Sequence, residues 1–466
     1  MEFPKLVRKK IRLFDFSKCL DASVSPNLRP ERAAACFNFR YGDGALKDGE
    51  GFEVLKVGGY ASRFRGIVPL KIFYYKRYDV ERGRQDDRII LYGDNKRVYV
   101  KPVNSADGYV YLGDLTFDSA PQGVCYKLNG EDVFILSSGS RIYVYDGETV
   151  TDYAAPEITS MLIYNERLFV TTGGESTTLW FSENFDPTNF YVSSTQAGFI
   201  DFQDGKGKLL KIAENDGFAY VFRSYGITRV YAPFDQNEFF AANVEVDNVR
   251  IIGGSVVDCG KKTVYLTENG FYAFAAGRSS RILKGLDNLL KGCENDDVSA
   301  AYCNGRYYAS LKMKIDGKVQ PVTLSYDVAV GEYYLMRGFE PIDLITVFDD
   351  KKNYMLALKK NGDTVYKLTD QGVMDGERVI KSFVTPFTDF NIDGRKTLSA
   401  VTLHTATDVF LVFKSDEGEK RLRVFGAAGV QKQSVGLKGV NFSVGIECDL
   451  ANADISNVTV DFTKIV

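Results

Sequence analysis

The stretch RLFVTTGGESTTLWF, residues 167–181, has the pattern that decides the fold. Its first half is rich in β-branched and aromatic residues, Gly173-Gly174 supplies a turn, and strand-forming residues resume at Thr177. Two such runs around a glycine turn are typical of a β-hairpin. The hairpin also holds Trp180, the single tryptophan of the 466-residue chain. The question is whether the hairpin stands alone or is one copy of a repeat.

Further segments share this strand, turn, strand pattern. They are RIILYGDNKRVYV (88–100), DVFILSSGSRIYVYDG (132–147), FAYVFRSYGITRVYA (218–232), TVYLTENGFYAF (263–274), RYYASLKMKIDGKVQPVTLSYD (306–327) and YMLALKKNGDTVYKL (354–368). Their starts fall roughly 35 to 50 residues apart, which is the spacing of propeller blades. Short apolar stretches at 123–128, 161–164, 209–214, 255–260 and 298–303 predict a third strand in most units. The pattern predicts an all-β protein with a β-propeller of about seven blades over residues 61–383, with six or eight blades as alternatives.

The propeller hypothesis predicts which side chains are buried, because each blade covers a face of the next. We expect Trp180 to fill the core between two blades, and we consider this more probable than stacking on a ligand. The full set of predicted core residues is Phe169, Val170, Trp180, Phe181, Tyr220, Val221, Tyr265, Leu266 and Tyr308.

Two flanking regions do not follow the repeat. Residues 1–60, with Pro26, Pro30 and several glycines, are predicted to form an N-terminal arm. Residues 384–466 contain the apolar segments 397–406, 408–414, 420–425, 440–448 and 457–463, which predict five strands of a C-terminal antiparallel β-sandwich. Thr385-Pro386 is the predicted hinge between propeller and sandwich.

Charge and cysteine content exclude several classes of function. The formal net charge is -3, so the chain has no basic surplus that would confer a general affinity for nucleic acid or anionic membranes, although local patches are not excluded. The seven cysteines never occur in a CxxC spacing, which argues against a disulfide framework and a zinc site. The scattered cysteines are typical of small buried side chains, so we expect the protein to be made in a reducing cytoplasm. No run of about 18 apolar residues occurs, so we expect no membrane insertion.

Residues that would support catalysis are scarce. His404 is the single histidine and lies in a predicted strand, so we expect a structural role for it. Acidic pairs such as Asp349-Asp350 lie in polar turns, and the charged loop at 76–88 mixes arginines with carboxylates, so both are predicted to be solvated. A phosphate loop is missing, and Trp180 precedes Ser182 where a sialidase Asp box has the reverse order. We therefore predict no enzyme activity and no catalytic, metal-binding or cofactor-binding residue.

Several of these stretches resemble β-propeller virion proteins of tailed bacteriophages, of the tail hub, nozzle or head-completion class. The resemblance covers the arm FDFSKCLDASVSPNLRPERAAACFNFRYGDGALKDGEGF (14–52), the stretch NERLFVTTGGESTTLWFSENFDPTNF (165–190), GITRVYA (226–232), LTENGFYAF (266–274) and TPFTDFNIDGRKTLSAVTLHT (385–405).

The resemblance implies a non-enzymatic structural protein of the virion. It implies a homo-oligomeric ring, sixfold by analogy, at the neck or tail around the DNA exit channel. The expected partners are portal, adaptor or tail proteins, and double-stranded DNA would pass without sequence-specific binding. Candidate contacts between subunits in the arm are Pro26, Arg29, Pro30 and Phe37.

Two alternatives from other functional classes stay open. One is a carbohydrate-binding or glycan-cleaving propeller on a phage tail, which would need carboxylates at the mouth of the propeller. The other is a cytoplasmic propeller that binds other proteins.

Overall fold

Short antiparallel sheets make up almost the whole molecule. In the computed structural model, strands account for 62% of the chain and helices for 2%, which confirms the all-β prediction and is consistent with a β-propeller. The structure describes residues 6–13, 33–42, 44–57, 60–61, 63–64, 66–103, 105, 108–173, 177–191, 196–246, 249–315, 317–348 and 352–465.

Seven successive units of four antiparallel strands follow one another in the described chain. Unit 1 comprises Pro69–Tyr75, Arg88–Gly93, Arg97–Pro102 and Val110–Thr116. Unit 2 comprises Gly123–Leu128, Glu131–Ser138, Arg141–Tyr145 and Val150–Ala154. Unit 3 comprises Ile158–Tyr164, Arg167–Thr172, Thr178–Phe181 and Gly198–Asp201. Unit 4 comprises Leu209–Asn215, Phe218–Arg223, Gly226–Tyr231 and Phe240–Val246.

The remaining units follow the same order. Unit 5 comprises Ile251–Asp258, Thr263–Thr267, Gly270–Ala275 and Arg278–Arg281. Unit 6 comprises Ala300–Cys303, Arg306–Ile315, Lys318–Asp327 and Tyr333–Met336. Unit 7 comprises Pro341–Val347, Tyr354–Lys359, Val365–Thr369 and, from the other end of the chain, Gly51–Val54. All seven hairpins predicted from the sequence are the second and third strands of these units.

The hairpins between first and second strands use turn residues that favour tight reversal. Asn129, Asp216 and Asn304 have φ values of 52°, 51° and 50°, and each is followed by a glycine with positive φ. Asn-Gly and Asp-Gly pairs with positive φ at both positions form the turns whose twist matches antiparallel strands. The turn chemistry therefore explains why the apolar stretches before these pairs become first strands.

The units contact one another in a closed ring. The first strand of each unit contacts the first strand of the next, and that of unit 7 contacts that of unit 1. Six apolar clusters each join two neighbouring units, and one of them joins Leu356 and Leu358 of unit 7 to Ile89 and Leu91 of unit 1. A further cluster joins units 6 and 7 to the C-terminal sheets. The core is therefore divided among the interfaces between units, because each thin sheet buries both of its faces against neighbours.

A strand from the N-terminal segment completes the last unit. Gly51–Val54 pairs antiparallel with Val365–Thr369, and Val54 lies opposite Tyr366. Phe52 is fully buried and its ring stacks on Phe339 with centroids 4.3 Å apart. Strands from opposite ends of the repeat thus share one sheet, and this pairing holds the ring closed.

The C-terminal segment forms six strands, whereas the sequence predicted five. They are Lys396–Thr405, Val409–Ser415, Gly418–Val424, Val430–Gly439, Phe442–Cys448 and Asp454–Ile465. The missed strand, Val430–Gly439, buries only Val435 among its large apolar residues, so it lacks the apolar run used for prediction. The strands belong to two sheets whose facing side chains, such as Leu411 and Phe462, meet in one cluster.

The predicted hinge at Thr385-Pro386 is wrong. Thr385 is 1% exposed, its N–H donates to Val444 O at 2.9 Å, and its Oγ1 accepts from Val444 N at 2.9 Å. One sheet also runs continuously from unit 6 through Ala35–Phe37 and Lys381–Val384 into the C-terminal strands. The division into residues 1–60, 61–383 and 384–466 stays a prediction, and the described strands of all three segments are interwoven.

Minor elements connect these sheets. The remaining strands are Leu6–Arg12, Phe39–Gly42, Ala45–Asp48, Lys56–Val57, Tyr60–Ala61, Tyr78–Asp79, Arg84–Gln85, Val373–Met374 and Glu377–Arg378. Single helical turns lie at Gln236–Glu238, Lys284–Leu286 and Asp287–Leu290.

The predicted core residues are buried with one exception. The residues found buried are Phe169, Val170, Phe181, Tyr220, Val221, Tyr265, Leu266 and Tyr308. Trp180 is only partly buried, although it does pack against the apolar cluster between units 2 and 3. The packing of Trp180 between two units agrees with the prediction, whereas its partial exposure does not, because the indole lies next to the outermost strand of unit 3.

Candidate functional site

The contact residues predicted in the arm do not form a described surface. Pro26, Arg29 and Pro30 lie outside the described residues. Phe37 is 2% exposed and pairs with Leu335 of unit 6, and the Arg337 guanidinium lies 3.3 Å from the centroid of its ring. Phe37 is therefore a core residue of its own chain, and its prediction as a contact between subunits needs correction. The reason is that the strand holding Phe37 pairs with unit 6, which buries its ring.

Nucleophilic and metal-binding groups are not gathered into a reactive centre in the described chain. His404 is half-buried in a strand, between Val430 and Ser456 of the flanking strands. Burial raises the pKa of the Cys125 and Cys303 thiols to about 11 and that of Cys259 to about 12, so these thiols stay protonated. Within the described residues, no group of three or more His, Cys, Asp or Glu could hold a metal ion. The absence of catalysis stays a prediction.

The charged loop at 76–88 is exposed at its tip, residues 80–85, as predicted, whereas its base forms an internal network of ion pairs. Arg77 is 8% exposed, and its Nη1 lies 2.7 Å from Asp86 Oδ2 and 3.3 Å from Asp79 Oδ2. Its Nε donates to Asp146 O of unit 2 at 2.9 Å. The Arg88 guanidinium lies 2.6 Å from the same Asp86 oxygen. Carboxylates thus neutralise Arg77 and Arg88, and the base of the loop fastens unit 1 to unit 2.

Side-chain oxygens at the starts of first strands link neighbouring units. Asp343 Oδ2 of unit 7 accepts from Ile72 N of unit 1 at 2.8 Å. Ser299 Oγ accepts from Leu344 N at 3.0 Å. Ser160 Oγ likewise accepts from Ile212 N at 3.2 Å. In all three cases the donor lies in a first strand, which is an edge of its sheet, so the side chain satisfies a backbone N–H that faces away from the ladder.

A polar cluster lies where these first strands converge. Lys71 Nζ is 3.1 Å from Asp343 Oδ1, which also accepts from Ser299 Oγ at 3.1 Å. Lys211, from the first strand of unit 4, is influenced by the charges of both Lys71 and Asp343. Burial and, to a smaller extent, the positive charge of Lys71 lower the pKa of Lys211 to about 8, while the charge of Asp343 opposes this shift. The charges of two amines thus act against that of one carboxylate, so the cluster has an excess of positive charge.

A buried carboxylate anchors the chain just before the strand that closes unit 7. Glu50 is 9% exposed, and both its oxygens accept from Tyr308 Oη at 2.9 Å. Tyr334 Oη also donates to it. Burial, followed by the charge of Glu50, raises the pKa of both tyrosines, so they stay protonated as donors. A cleft of about 510 Å³ opens beside Glu50, but the hydrogen bonds show that the carboxylate serves the junction of units 6 and 7.

An exposed aromatic cluster, here called the aromatic patch, consists of Trp180, Tyr191 and Phe199. Phe199 lies directly opposite Trp180 in the outermost strand of unit 3, with ring centroids 5.0 Å apart. The Tyr191 ring meets the indole edge to face at 5.5 Å. Tyr191 is 53% exposed and Phe199 is 58% exposed. One side of Trp180 thus packs on the core while these rings present an apolar surface to solvent.

Sequence reasoning missed most of these positions, although some carry a signal. Lys211 in LLKIAEN and Asp343 in PIDLITV are charged residues inside apolar strands, which marks them as special. Phe199 in GFID carries no such signal, because an apolar residue in a strand is ordinarily assigned to the core. Its exposure follows from the position of its strand at the outer edge of unit 3.

Comparisons with known proteins add one structural likeness. No family model matches the sequence, and no curated protein matches it. Two solved structures of BBS1N in complex with ARL6DN, soaked with lead and with mercury, are similar to 66% of this chain, with 12% and 14% identity. The likeness covers 93% and 92% of those chains, each at a TM-score of 0.44. A TM-score this low carries no argument about function. Among the described residues, no helix is long and apolar enough to cross a membrane.

Proposed function

We propose that this chain is a seven-bladed β-propeller with a C-terminal β-sandwich that acts as a non-enzymatic protein-binding platform. The closed ring of seven units and the two C-terminal sheets with a common core support the architecture. The aromatic patch carries the functional part of the proposal. Clustered exposed aromatic residues mark protein contact sites, because tryptophan and tyrosine dominate the binding energy of such interfaces.

The geometry of the patch favours a protein partner. Trp180 is held in place by the apolar cluster behind it, so its ring and that of Phe199 are ordered before a partner arrives. Pre-ordered aromatic side chains lose little conformational freedom on binding, which strengthens association. The neighbouring strand Gly198–Asp201 is the free edge of its sheet, so its backbone is also available to a partner.

The proposal is tested by photo-cross-linking from the patch. A benzophenone amino acid replaces Phe199, and a matched variant carries it at Phe348, which is 60% exposed and lies outside the patch. We expect specific adducts from position 199 in the cells that naturally produce the protein, and their loss on Tyr191→Ser. An adduct between two copies in the purified protein would identify self-association as the contact. Adducts that are the same from both positions would contradict the proposal.

A second proposal is that the platform is a structural ring protein of a tailed-phage virion, with portal, adaptor or tail proteins as partners. The sequence resemblance over residues 14–52 and 165–190 supports it, and neither similar solved structure adds to that support. Mass spectrometry of purified particles tests it, together with the neighbouring genes. If the protein is missing from particles and no portal, terminase or tail gene lies nearby, this second proposal fails while the platform proposal stands.

A further inference from the structure

One face of the C-terminal sheet carries cationic and hydroxyl side chains in regular rows. The four strands concerned are, in order, Leu6–Arg12, Asp454–Ile465, Lys396–Thr405 and Val430–Gly439. Residues directly opposite each other in antiparallel strands point to the same face. The register aligns three rows, which are Arg8, Thr463, Thr397, Lys438; Lys10, Asp461, Ala400, Ser434; and Arg12, Thr459, Thr402, Lys432. These rows are called the cationic face.

The opposite face of the same sheet is committed to the core. Leu398, Val401, Val460 and Phe462 alternate with the residues of the cationic face and are at most 1% exposed. Alternation along a strand therefore turns the cationic face away from the core. Arg8, Lys10, Arg12, Lys432 and Lys438 are all exposed.

The charge of the cationic face is strongly one-sided. It has five cations against one carboxylate, Asp461, in a chain whose formal net charge is -3. Asp461 is 9% exposed and its Oδ2 lies 3.0 Å from Lys432 Nζ. Among the described residues, neither Arg8 nor Lys10 takes part in an ion pair. The charge of Lys438 also interacts with that of Glu417, which is itself paired with Arg395. The three rows still hold more cations than carboxylates, and the column of Arg8 and Lys10 carries most of this excess.

The spacing of the cations is regular. Alternate residues of a strand lie about 6.8 Å apart, so Arg8, Lys10 and Arg12 form a column with that repeat. Lys432 and Lys438 form a second column three strands away, or about 14 Å across the sheet. Threonine hydroxyls fill the space between the columns. This separation is close to the roughly 12 Å width of the major groove of B-DNA, which two phosphate backbones border.

We propose that the cationic face binds the phosphate backbones of double-stranded nucleic acid without reading the base sequence. Lysine, arginine and threonine side chains are typical donors to phosphate oxygens. The three rows hold no aromatic residue, whereas a protein interface relies on aromatic anchors and a membrane surface on inserted apolar groups. The regular cations and hydroxyls thus favour nucleic acid over an acidic protein or a lipid surface. This activity goes beyond the protein-binding function and is independent of the aromatic patch.

Fluorescence anisotropy with labelled duplexes of two unrelated sequences tests the proposal. We expect equal affinities for both sequences and a binding constant that falls with salt, because phosphate contacts release counterions. The double variant Arg8→Ser, Lys10→Ser should weaken binding at least about tenfold at low salt and reduce the slope of log K against log salt by about 2. Lys438→Ser, on the other column, should reduce the slope by about 1. That variant leaves the N-terminal strand intact, so the test does not depend on the folding of the double variant.

The matched control is the double variant Lys261→Ser, Lys262→Ser, which removes two exposed cations from the hairpin of unit 5. We expect it to bind duplex as the wild type does. An equal loss in the control, absence of duplex binding by the wild type at low salt, or tighter binding to polyglutamate or to vesicles containing phosphatidylserine would each overturn the proposal. Failure of the aromatic-patch cross-linking would leave this result unaffected.

Discussion

At the scale of single residues, Lys211 shows how a folded ring places a charge where a strand pattern would place an apolar side chain. It lies between the apolar residues Leu210 and Ile212 of the first strand of unit 4. In the folded ring the charges of Lys71 of unit 1 and Asp343 of unit 7 act on the Lys211 amine. Burial and a like charge both disfavour the protonated amine. The residue is therefore expected to reduce stability at neutral pH.

Lys211→Met should stabilise the protein near neutral pH, and the gain should shrink as the pH rises. The amine titrates near its ordinary pKa of 10.5 in the unfolded chain and at about 8 in the folded one. Below about pH 8 both states are protonated and the folded state bears the full cost of the buried charge. Between these two pKa values the unfolded state holds more protons, so wild-type stability rises with pH. Urea unfolding of both proteins at about pH 7 and about pH 10 measures this difference.

Lys261→Met is the control for the Lys211 prediction, because Lys261 is exposed. Its stability relative to the wild type should be the same at both pH values. A Lys211→Met variant that is less stable than the wild type at about pH 7, or whose advantage does not change with pH, would show that the buried charge is compensated.

At the scale of elements, the strand Gly51–Val54 closes the ring under tight steric constraint. A Cβ atom on Gly51 would lie 2.1 Å from Val373 O and 2.4 Å from Gln371 O. Both are backbone atoms of the segment that follows unit 7, so they move only if that segment moves. Glycine at this position allows the closing strand to lie close to the backbone of Gln371 and Val373.

Gly51→Ala should therefore destabilise the protein by about 3 kcal/mol, the cost of forcing a methyl group into a packed site. The control is Gly108→Ala, because a Cβ there meets no atom within 4 Å. It should change stability by no more than about 0.5 kcal/mol. Chemical denaturation measures both. Equal effects of the two substitutions would mean that the closing strand is not packed as described.

At the scale of the whole molecule, units 6 and 7 of the ring share one apolar cluster with the C-terminal sheets. The largest apolar cluster joins Tyr308 and Met355 of units 6 and 7 to Leu411 and Val444 of the C-terminal sheets. If either part unfolded alone, apolar side chains of the other part would become exposed to water, which is unfavourable. The two parts should therefore unfold together and not as separate domains.

Calorimetry should show a single thermal transition whose calorimetric and van't Hoff enthalpies agree. Limited proteolysis with a protease of broad specificity should leave the strand Lys381–Val384 and its bond to Thr385 intact under native conditions, because Thr385 is 1% exposed and hydrogen-bonded to Val444. Cleavage at an exposed loop such as the one containing Lys261 and Lys262 serves as the positive control. Two resolved transitions, or early cleavage within Lys381–Val384, would restore the hinge prediction.

The sequence by itself determined the class of the fold and the position of its repeats. Alternating apolar residues and Asn-Gly or Asp-Gly turns act over a few residues, so the seven hairpins and most first strands could be predicted. The core positions within hairpins followed from the same local rule. The strand Val430–Gly439 did not, because its burial is one-sided and its residues are mostly polar.

Only the tertiary structure decided which distant segments meet. Gly51–Val54 completes unit 7, Phe37 is buried against unit 6, and Thr385 is hydrogen-bonded to a C-terminal strand. Local sequence does not specify these pairings, because the backbone N–H and C=O groups at a sheet edge can pair with many different strands. The same holds for the candidate sites. The aromatic patch needs an edge strand to bring Phe199 beside Trp180, and the cationic face needs Arg8 and Lys438 to align across four strands. Pairing between strands far apart in sequence depends on the free energy of the whole chain, which no local pattern encodes.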